Sequence, residues 1–288
     1  MPNLTIKAYA KLNLSLEILG KREDGFHEIR SILQTIDLWD MVSFGISDSI
    51  KIACDIPGLD DQTNIAYKAV DRVKQLCQSE LGINIRINKG IPIAGGLGGG
   101  SSDAAASLRA VNRLWKLGLS HKQLELVAGE IGSDVPFFLY GGTCLASGRG
   151  EQITRLPGIN EQYIFLVSPE HQISRKTPLL YENINEEHYS SGNSVTETAL
   201  RISENGTLRE DTMVNTFEAL AFDIFPGLVE YKNAMKQAGI TKIHLSGTGP
   251  ALFSIGTDWE RMCGWKNFLQ AKGIIARILK PVSNRSQN

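Results

Sequence analysis

A mixed α+β fold in two parts is what this sequence of 288 residues predicts, and three observations predict it. The stretch up to Cys54 is almost wholly strand-patterned. In the middle of the chain a glycine block, Gly95-Gly96-Leu97-Gly98-Gly99-Gly100, joins a strand to a strong helix. From Lys242 the order is strand, small-residue turn, strand, helix, strand, which suits an antiparallel sheet with helices packed on it.

The elements follow in order. Residues 4–10 and 12–19 alternate or run apolar in strand fashion, and 28–35, 41–46 and 49–54 continue in that style. Asn64 is placed to start a helix to about Ser79, with Ile65, Ala69, Val73 and Leu76 on one face. A strand near 83–88 delivers the chain to the glycine block, and a helix spans Ala104 to Trp115. Ser120, with Gln123 three places on, caps the next helix, which stops at Gly132. Strands near 143–147 and 163–167 flank the turn-rich Arg155-Leu156-Pro157-Gly158-Ile159, the best position for a domain boundary. The expected parts are therefore 1–157, 158–282 and a disordered tail, 283–288. Helical stretches near 178–184, 195–204 and 215–222 follow, and Pro226 and Gly239 frame another helix. Strands over 242–245 and 251–255 flank Ser246-Gly247-Thr248-Gly249-Pro250, and a helix over 258–272 leads to a strand over 274–279.

Composition narrows the partners. Thirty Lys and Arg against 31 Asp and Glu leave no basic surplus for a nucleic acid, so the expected target is a small molecule. No apolar run approaches the ~18 residues of a membrane span, and Met1-Pro2-Asn3-Leu4 does not open like a signal peptide. The expectation is a cytoplasmic protein with no membrane partner. Cys54, Cys77, Cys144 and Cys263 are widely spaced and lack nearby histidine pairs, which suits reduced thiols rather than a zinc site.

The glycine block carries the chemistry. Glycine lets backbone N–H groups approach a ligand, and a helix start adds unpaired donors and a positive dipole end, so the string reads as an anion site that a phosphate fits best. It is not a Walker A loop, because no lysine lies between Ile91 and Leu108. The dinucleotide fingerprint fails as well, since from Gly96 its third glycine position is Ser101. A flexible linker would be polar and repetitive, whereas this block sits between an Ile-rich strand and an apolar helix. A phosphate loop implies a nucleotide, and phosphoryl transfer then needs charge neutralisation and a group to handle the acceptor's proton. Lys11 in Ala10-Lys11-Leu12-Asn13-Leu14 and Asp134 in Gly132-Ser133-Asp134-Val135-Pro136 are polar residues in apolar settings, where an isolated charge is costly.

These residues also carry a resemblance. Residues 10–14, Asp24-Gly25-Phe26-His27, the run from Pro92 to Ala105, Gly132 to Phe138 and Leu245 to Pro250 together resemble the ordered motif set of the 4-diphosphocytidyl-2-C-methyl-D-erythritol kinase family, within the GHMP kinase superfamily. The match spans most of the chain. It implies a two-domain GHMP kinase fold, α+β in class, with an N-terminal domain like a ribosomal-protein α/β domain and a C-terminal antiparallel sheet with helices. The active site is expected in the cleft between them. The implied reaction is ATP-dependent phosphorylation of the 2-hydroxyl of 4-diphosphocytidyl-2-C-methyl-D-erythritol, in isoprenoid precursor synthesis.

By the same resemblance the ATP loop is Pro92, Ile93, Ala94, Gly95, Gly96, Leu97, Gly98, Gly99, Gly100, Ser101 and Ser102, with Asn64 and Lys89 as further nucleotide contacts. Lys11 and Asp134 are the implied catalytic pair, Asp134 orienting or accepting the hydroxyl proton and Lys11 stabilising the developing alkoxide. Asn13, two places from Lys11 on a strand, is either an acceptor contact or satisfied within the strand. Phe26 stands where the family usually has tyrosine, which keeps ring stacking and loses a hydroxyl. His27 is implied to read the cytosine edge, Tyr181 is the candidate second aromatic, and Gly247, Thr248 and Gly249 are placed to approach the acceptor's phosphates. Mg²⁺ is expected with ATP, with no metal residue assigned, and either a monomer or a homodimer fits. Two alternatives stand beside this reading: a GHMP kinase for mevalonate, homoserine or a sugar, and a non-catalytic nucleotide or RNA binder.

Overall fold

The computed structural model describes residues 4–159, 162–169 and 175–283. Of the tail expected to be disordered, 284–288 lie outside the described residues.

The N-terminal strand segments expected separately are continuous. β1 (Leu4–Lys21) pairs antiparallel with β2 (His27–Ser47) along its length, with register shifts between Tyr9 and Ala10, Asn13 and Ser15, and Ile18 and Gly20. Irregularities of this kind let so long a pair bend and twist without losing its ladder. β2 is also the centre of a six-stranded sheet. Beside it lie β3 (Ile50–Cys54), β4 (Gly82–Asn88), β5 (Thr143–Ser147) and β6 (Gln152–Leu156), in the order β3-β4-β2-β5-β6. Only the β3–β4 pair is parallel.

Helices α1 (Ile65–Leu76), α2 (Gly99–Leu114), α3 (His121–Ile131) and α4 (Val135–Tyr140) belong to this half of the chain. Their apolar residues, among them Val70, Ala105, Leu108 and Phe137, bury against Val42, Phe44 and Ile85 of the sheet. The caps form where the sequence puts them. Asn64 Oδ1 accepts from the Ala66 N–H, and Ser120 and Gln123 form a reciprocal capping box. α2 differs from expectation by starting five residues earlier, at Gly99, so the end of the glycine block is itself the first helical turn. Gly98, at φ 71°, makes the left-handed step into it.

The chain then builds a second sheet from β7 (Tyr163–Val167), β8 (His244–Leu245), β9 (Leu252–Gly256) and β10 (Ala276–Leu279), ordered β10-β7-β9-β8 and antiparallel throughout. α5 (Lys176–Glu182), α6 (Asn193–Asn205), α7 (Phe217–Ile224), α8 (Pro226–Gln237) and α9 (Trp259–Gln270) accompany it. A third apolar cluster joins the two sheets: Ala10, Leu12, Leu14, Ile32 and Ile36 pack with Ile164, Leu166 and Phe253. The middle of β1 is thus a wall common to both halves. Residues alternate in direction along a strand, so while Ala10 and Leu12 feed that cluster, Lys11 and Asn13 point away from it. Among the described residues no helix is long and apolar enough to cross a membrane.

Candidate active site

One cavity of about 1020 Å³ takes in the glycine block, Lys11, Asn13, Phe26, His27, Asn64, Lys89, Asp134, Tyr181, Gly247 and Thr248. All but two of the residues singled out from the sequence lie on its wall. Ser102 is buried inside α2, its N–H donating to the Gly98 carbonyl at 2.9 Å, and Gly249 lies behind the Gly247–Thr248 surface.

Gly96 and Gly98 are required by the protein's own packing. A Cβ on Gly96 (φ +79°) would stand 2.7 Å from the carbonyl oxygens of Gly249 and Ser246, and one on Gly98 would stand 2.6 Å from the Phe138 ring. The block is therefore pressed against the Ser246–Pro250 turn on one side and α4 on the other. Backbone bonds hold it there: Lys11 N–H donates to the Leu97 carbonyl at 2.9 Å, and Ala251 N–H to the Gly95 carbonyl at 3.1 Å. The N–H groups of Gly99, Gly100 and Ser101 open α2 beside this contact, where no helical carbonyl can accept from them. With the positive end of the helix, they make the cavity wall an anion site.

Next to it sits the polar pair predicted from the sequence. Lys11 Nζ lies 3.5 Å from Asp134 Oδ2, the lysine buried and the carboxylate 38% exposed toward the cavity. Asp134 occupies the position before α4, yet its side chain makes no capping bond and is free to face Lys11. Arg109 of α2 fixes α4 by donating to the Phe138 carbonyl at 2.8 Å, so the helix bearing the glycine turn also positions the aspartate. Both ends of the Asn13 amide are engaged: Oδ1 accepts from Lys11 Nζ at 2.5 Å and Nδ2 donates to Ser31 Oγ at 2.9 Å. This support of Lys11 is neither of the two roles left open by the sequence, and Asn13 still lines the cavity.

The far end of the cavity is aromatic. Asp24 Oδ1 accepts from the Phe26 N–H, closing a tight turn that leaves the Phe26 ring 51% exposed. The Arg149 guanidinium lies over that ring, 4.7 Å from its centre. His27 stacks at 5.1 Å on Tyr181, which arrives from α5 and is backed edge-on by Phe217 at 4.9 Å. Burial, helped by Lys21, lowers the His27 pKa, so the ring is neutral near pH 7 and offers one donor and one acceptor. Burial and the charge of Asp134 push the Tyr181 hydroxyl up to about 12, which keeps it protonated.

Beneath the start of α2 lies a buried cluster that sequence reading touches only through Lys89. Its ammonium is shared between Asp40, a contact of very short length, and Asp103 Oδ2 at 2.8 Å. Asp40 Oδ1 also accepts from the N–H groups of Gly90 and Ile91, at 2.7 and 2.8 Å. Lys89 therefore acts as a strut while still lining the cavity. Asp103 Oδ1 has no hydrogen-bond partner among the described residues, and burial together with the charge of Asp40 raises its pKa to about 7. An aspartate in the apolar run Ile36-Asp37-Leu38-Trp39-Asp40 is the one signal that could have found this cluster. Asn64 is spent on its cap and on the Leu59 carbonyl, and it meets the cavity beside Thr63 and Ile65. Arg149 and Lys176, also on the wall, carry no motif.

Residues 64–142 match the family described as GHMP kinases N terminal domain. A 4-diphosphocytidyl-2-C-methyl-D-erythritol kinase from Dehalococcoides mccartyi is 41% identical over 256 residues, 88% of this chain and 90% of that protein. One of the same name from Bacillus cereus is 39% identical over 266 residues, 90% of each. A crystal structure of 4-(cytidine 5'-diphospho)-2C-methyl-D-erythritol kinase superposes with a TM-score of 0.77 at 28% identity, covering 96% of this chain and 99% of that one. Homoserine kinase from Cytophaga hutchinsonii shares the fold, with a TM-score of 0.73 at 21% identity over 97% of this chain and 94% of its own. Motifs, cavity and relatives agree, and the chain belongs to the 4-diphosphocytidyl-2-C-methyl-D-erythritol kinase family of the GHMP kinases, which makes it a small-molecule kinase.

Proposed function

We propose that this kinase transfers the γ-phosphoryl group of ATP to the 2-hydroxyl of 4-diphosphocytidyl-2-C-methyl-D-erythritol, in the pathway to isoprenoid precursors. The observation that carries the reading is the position of the Lys11–Asp134 pair on one cavity wall, with an anion-binding glycine turn beside it and an aromatic corner at the other end. ATP phosphates lie along Gly95 to Ser101, held by backbone N–H groups and the start of α2. Cytosine lies between Phe26 and Tyr181, and neutral His27 meets its edge with one donor and one acceptor. That corner favours a cytidine conjugate over mevalonate or homoserine, which have no ring to stack. Residues 1–157 then form the nucleotide-binding part, and the second half of the chain supplies Tyr181 from α5 and the Gly247–Thr248 turn between β8 and β9.

Asp134 orients the acceptor hydroxyl and takes its proton as the oxygen bonds to phosphorus. Lys11, held by Asn13, neutralises negative charge growing on that oxygen. Among the described residues no three His, Cys, Asp or Glu side chains come together as a metal cage. Mg²⁺ would arrive with ATP, and the Ser101 hydroxyl on the cavity wall would be its protein ligand. Such an ion supplies charge neutralisation on the β and γ oxygens.

Asp134→Asn tests the assignment. Nucleotide affinity should stay within about threefold while kcat falls about 100- to 10,000-fold, the range for a lost general base. A near-normal kcat would remove Asp134 from its role. A panel of alcohols tests the acceptor, and preference for mevalonate over the cytidine conjugate would overturn it.

A further inference from the structure

Lys176, the first residue of α5, is a buried lysine on the wall of the same cavity, 9% exposed. Its ammonium donates to the carbonyl of Gly249. Among the described residues it makes no ion pair, so one acceptor is accounted for where an ammonium has three donors. Holding a single carbonyl is a poor use of a buried charge, because unmet donors cost far more there than in water.

Its position explains the choice better. The Gly249 carbonyl is the group pressed against Gly96 of the glycine block, where a Cβ would come within 2.7 Å of it. Thr177, the next residue on α5, meets Thr248 of the same turn, hydroxyl to hydroxyl at 2.9 Å. Lys11 stands at the neighbouring residue of that turn, its Nζ 3.6 Å from where a Cβ of Gly247 would be. Two lysines thus flank the crossing of the two small-residue loops, one from each half of the protein. Asp134, the counter-charge of Lys11, is partly turned to the cavity.

We propose that Lys176 is a second phosphoryl-binding lysine of this site: suspended from the Gly249 carbonyl, its ammonium takes an oxygen of the phosphoryl group in transit, opposite Lys11. This rests on the kinase reading given above. In the transfer, the acceptor oxygen bonds to the γ-phosphorus, the bond from that phosphorus to the β,γ-bridging oxygen breaks, and the hydroxyl proton goes to Asp134. ADP leaves with the bonding pair. Lys176 gives up no atom; it neutralises charge on an equatorial oxygen. Burial first and the repulsion of Lys11 second lower its pKa to about 7, with Asp134 acting weakly the other way. An arriving phosphate reverses that balance and draws a proton onto it.

Steady-state kinetics of Lys176→Met and Lys176→Arg, with MgATP and the cytidine conjugate, test the proposal. The Met variant should lose about 100-fold in kcat, the scale for one donor to a developing charge, with both KM values within about threefold. The Arg variant should recover about tenfold, because it restores charge but not geometry. Calorimetry in two buffers of different ionisation enthalpy adds a readout that a structural lysine would not move. At pH 8 a non-hydrolysable ATP analogue should take up close to one proton per site in the wild type and markedly less in the Met variant. The other charged and titratable groups of the cavity, Lys21 among them, are common to both proteins, so the difference belongs to Lys176. Unchanged kcat overturns the proposal. So does a raised acceptor KM at constant kcat, which would assign Lys176 to the acceptor's diphosphate. If the wild type phosphorylates a different alcohol, the substrate reading fails, and the same kcat comparison on that alcohol still decides Lys176.

Discussion

Replacing Asp103 with Asn should stabilise the protein at pH 8 and do much less at pH 5. Asp40, Asp103 and Lys89 are all buried, their side chains 0%, 4% and 8% exposed, and two carboxylates share one ammonium. Asp103 gives way: burial first, then the charge of Asp40, holds its proton to about 7, against 3.8 for a free aspartate. The sign follows from the folded value being the higher one. Between these two values the folded chain keeps a proton that the unfolded chain has lost, so stability falls as pH rises through that window. At about 1.4 kcal/mol per tenfold change in acidity, the penalty is about 1–2 kcal/mol at pH 5 and about 4 kcal/mol above pH 7. Asparagine has no proton to lose, and its oxygen can still accept from Lys89. The advantage of Asp103→Asn over the wild type should therefore grow by about 2–3 kcal/mol from pH 5 to pH 8. For a chain of this size that is a gain in relative Tm of about 5 °C or more. Thermal melts without nucleotide at pH 5, 6, 7 and 8 read it directly, since the Lys89–Asp40 pair is common to both proteins. A Tm difference that does not change with pH would refute the reasoning, because Asp103 would then be ionised throughout.

Two further outcomes come from the loops and the aromatic corner. Gly96→Ala places a methyl 2.7 Å from two backbone carbonyls at φ +79°, so it should cost at least about 2 kcal/mol in a urea melt and sharply lower kcat. Gly100→Ala, whose methyl would meet only the Ile65 side chain at 3.3 Å, should leave the melt unchanged or raised; equal losses in both would show that the loop–turn contact is not what Gly96 serves. Phe26→Ala should raise the acceptor KM about tenfold with the ATP KM unchanged, the scale for one lost stacking surface, while Phe26→Tyr stays within about threefold. An ATP KM that rises instead would place the ring in the wrong subsite.

Local signals in the sequence carried the helices and their caps, because Asn64, Ser120 with Gln123, and Gly132 each act on backbone groups within a turn of themselves. They did not carry the merging of the two strand pairs. Lys11 and Asn13 look like a break in β1, but each finds its partner far away in sequence, Lys11 in Asp134 and Asn13 in Ser31. α4 was missed for a related reason: at six residues it is too short for periodicity, and Pro136 reads as a turn until tertiary contacts hold the helix in place. β6 likewise carries no alternation of its own and exists because β5 offers it an edge. At the site, the glycine block and the motif residues were legible. The roles of Asp40, Asp103 and Lys176 were not, since a charged residue announces its role only when its surroundings are known to be buried.

The glycine loop also shows why the absence of a lysine within it did not weaken the case for phosphate chemistry. A loop that carries its own lysine fixes the charge relative to its own backbone. Here the charge is borrowed, and borrowing demands that the lender be held as firmly. Lys11 meets that demand through its own backbone, whose N–H is bonded to Leu97 inside the block, and through Asn13, which fixes its ammonium. Lys176 meets it through the Gly249 carbonyl, which rests against Gly96. Gly96 then has a plain physical cause. It lets two backbones touch, so that cations from separate halves of the chain can stand on either side of one phosphoryl group. A side chain at Gly96 would separate the loops and with them the charges, which is why the loop is glycine where it meets the turn as well as where it meets the ligand.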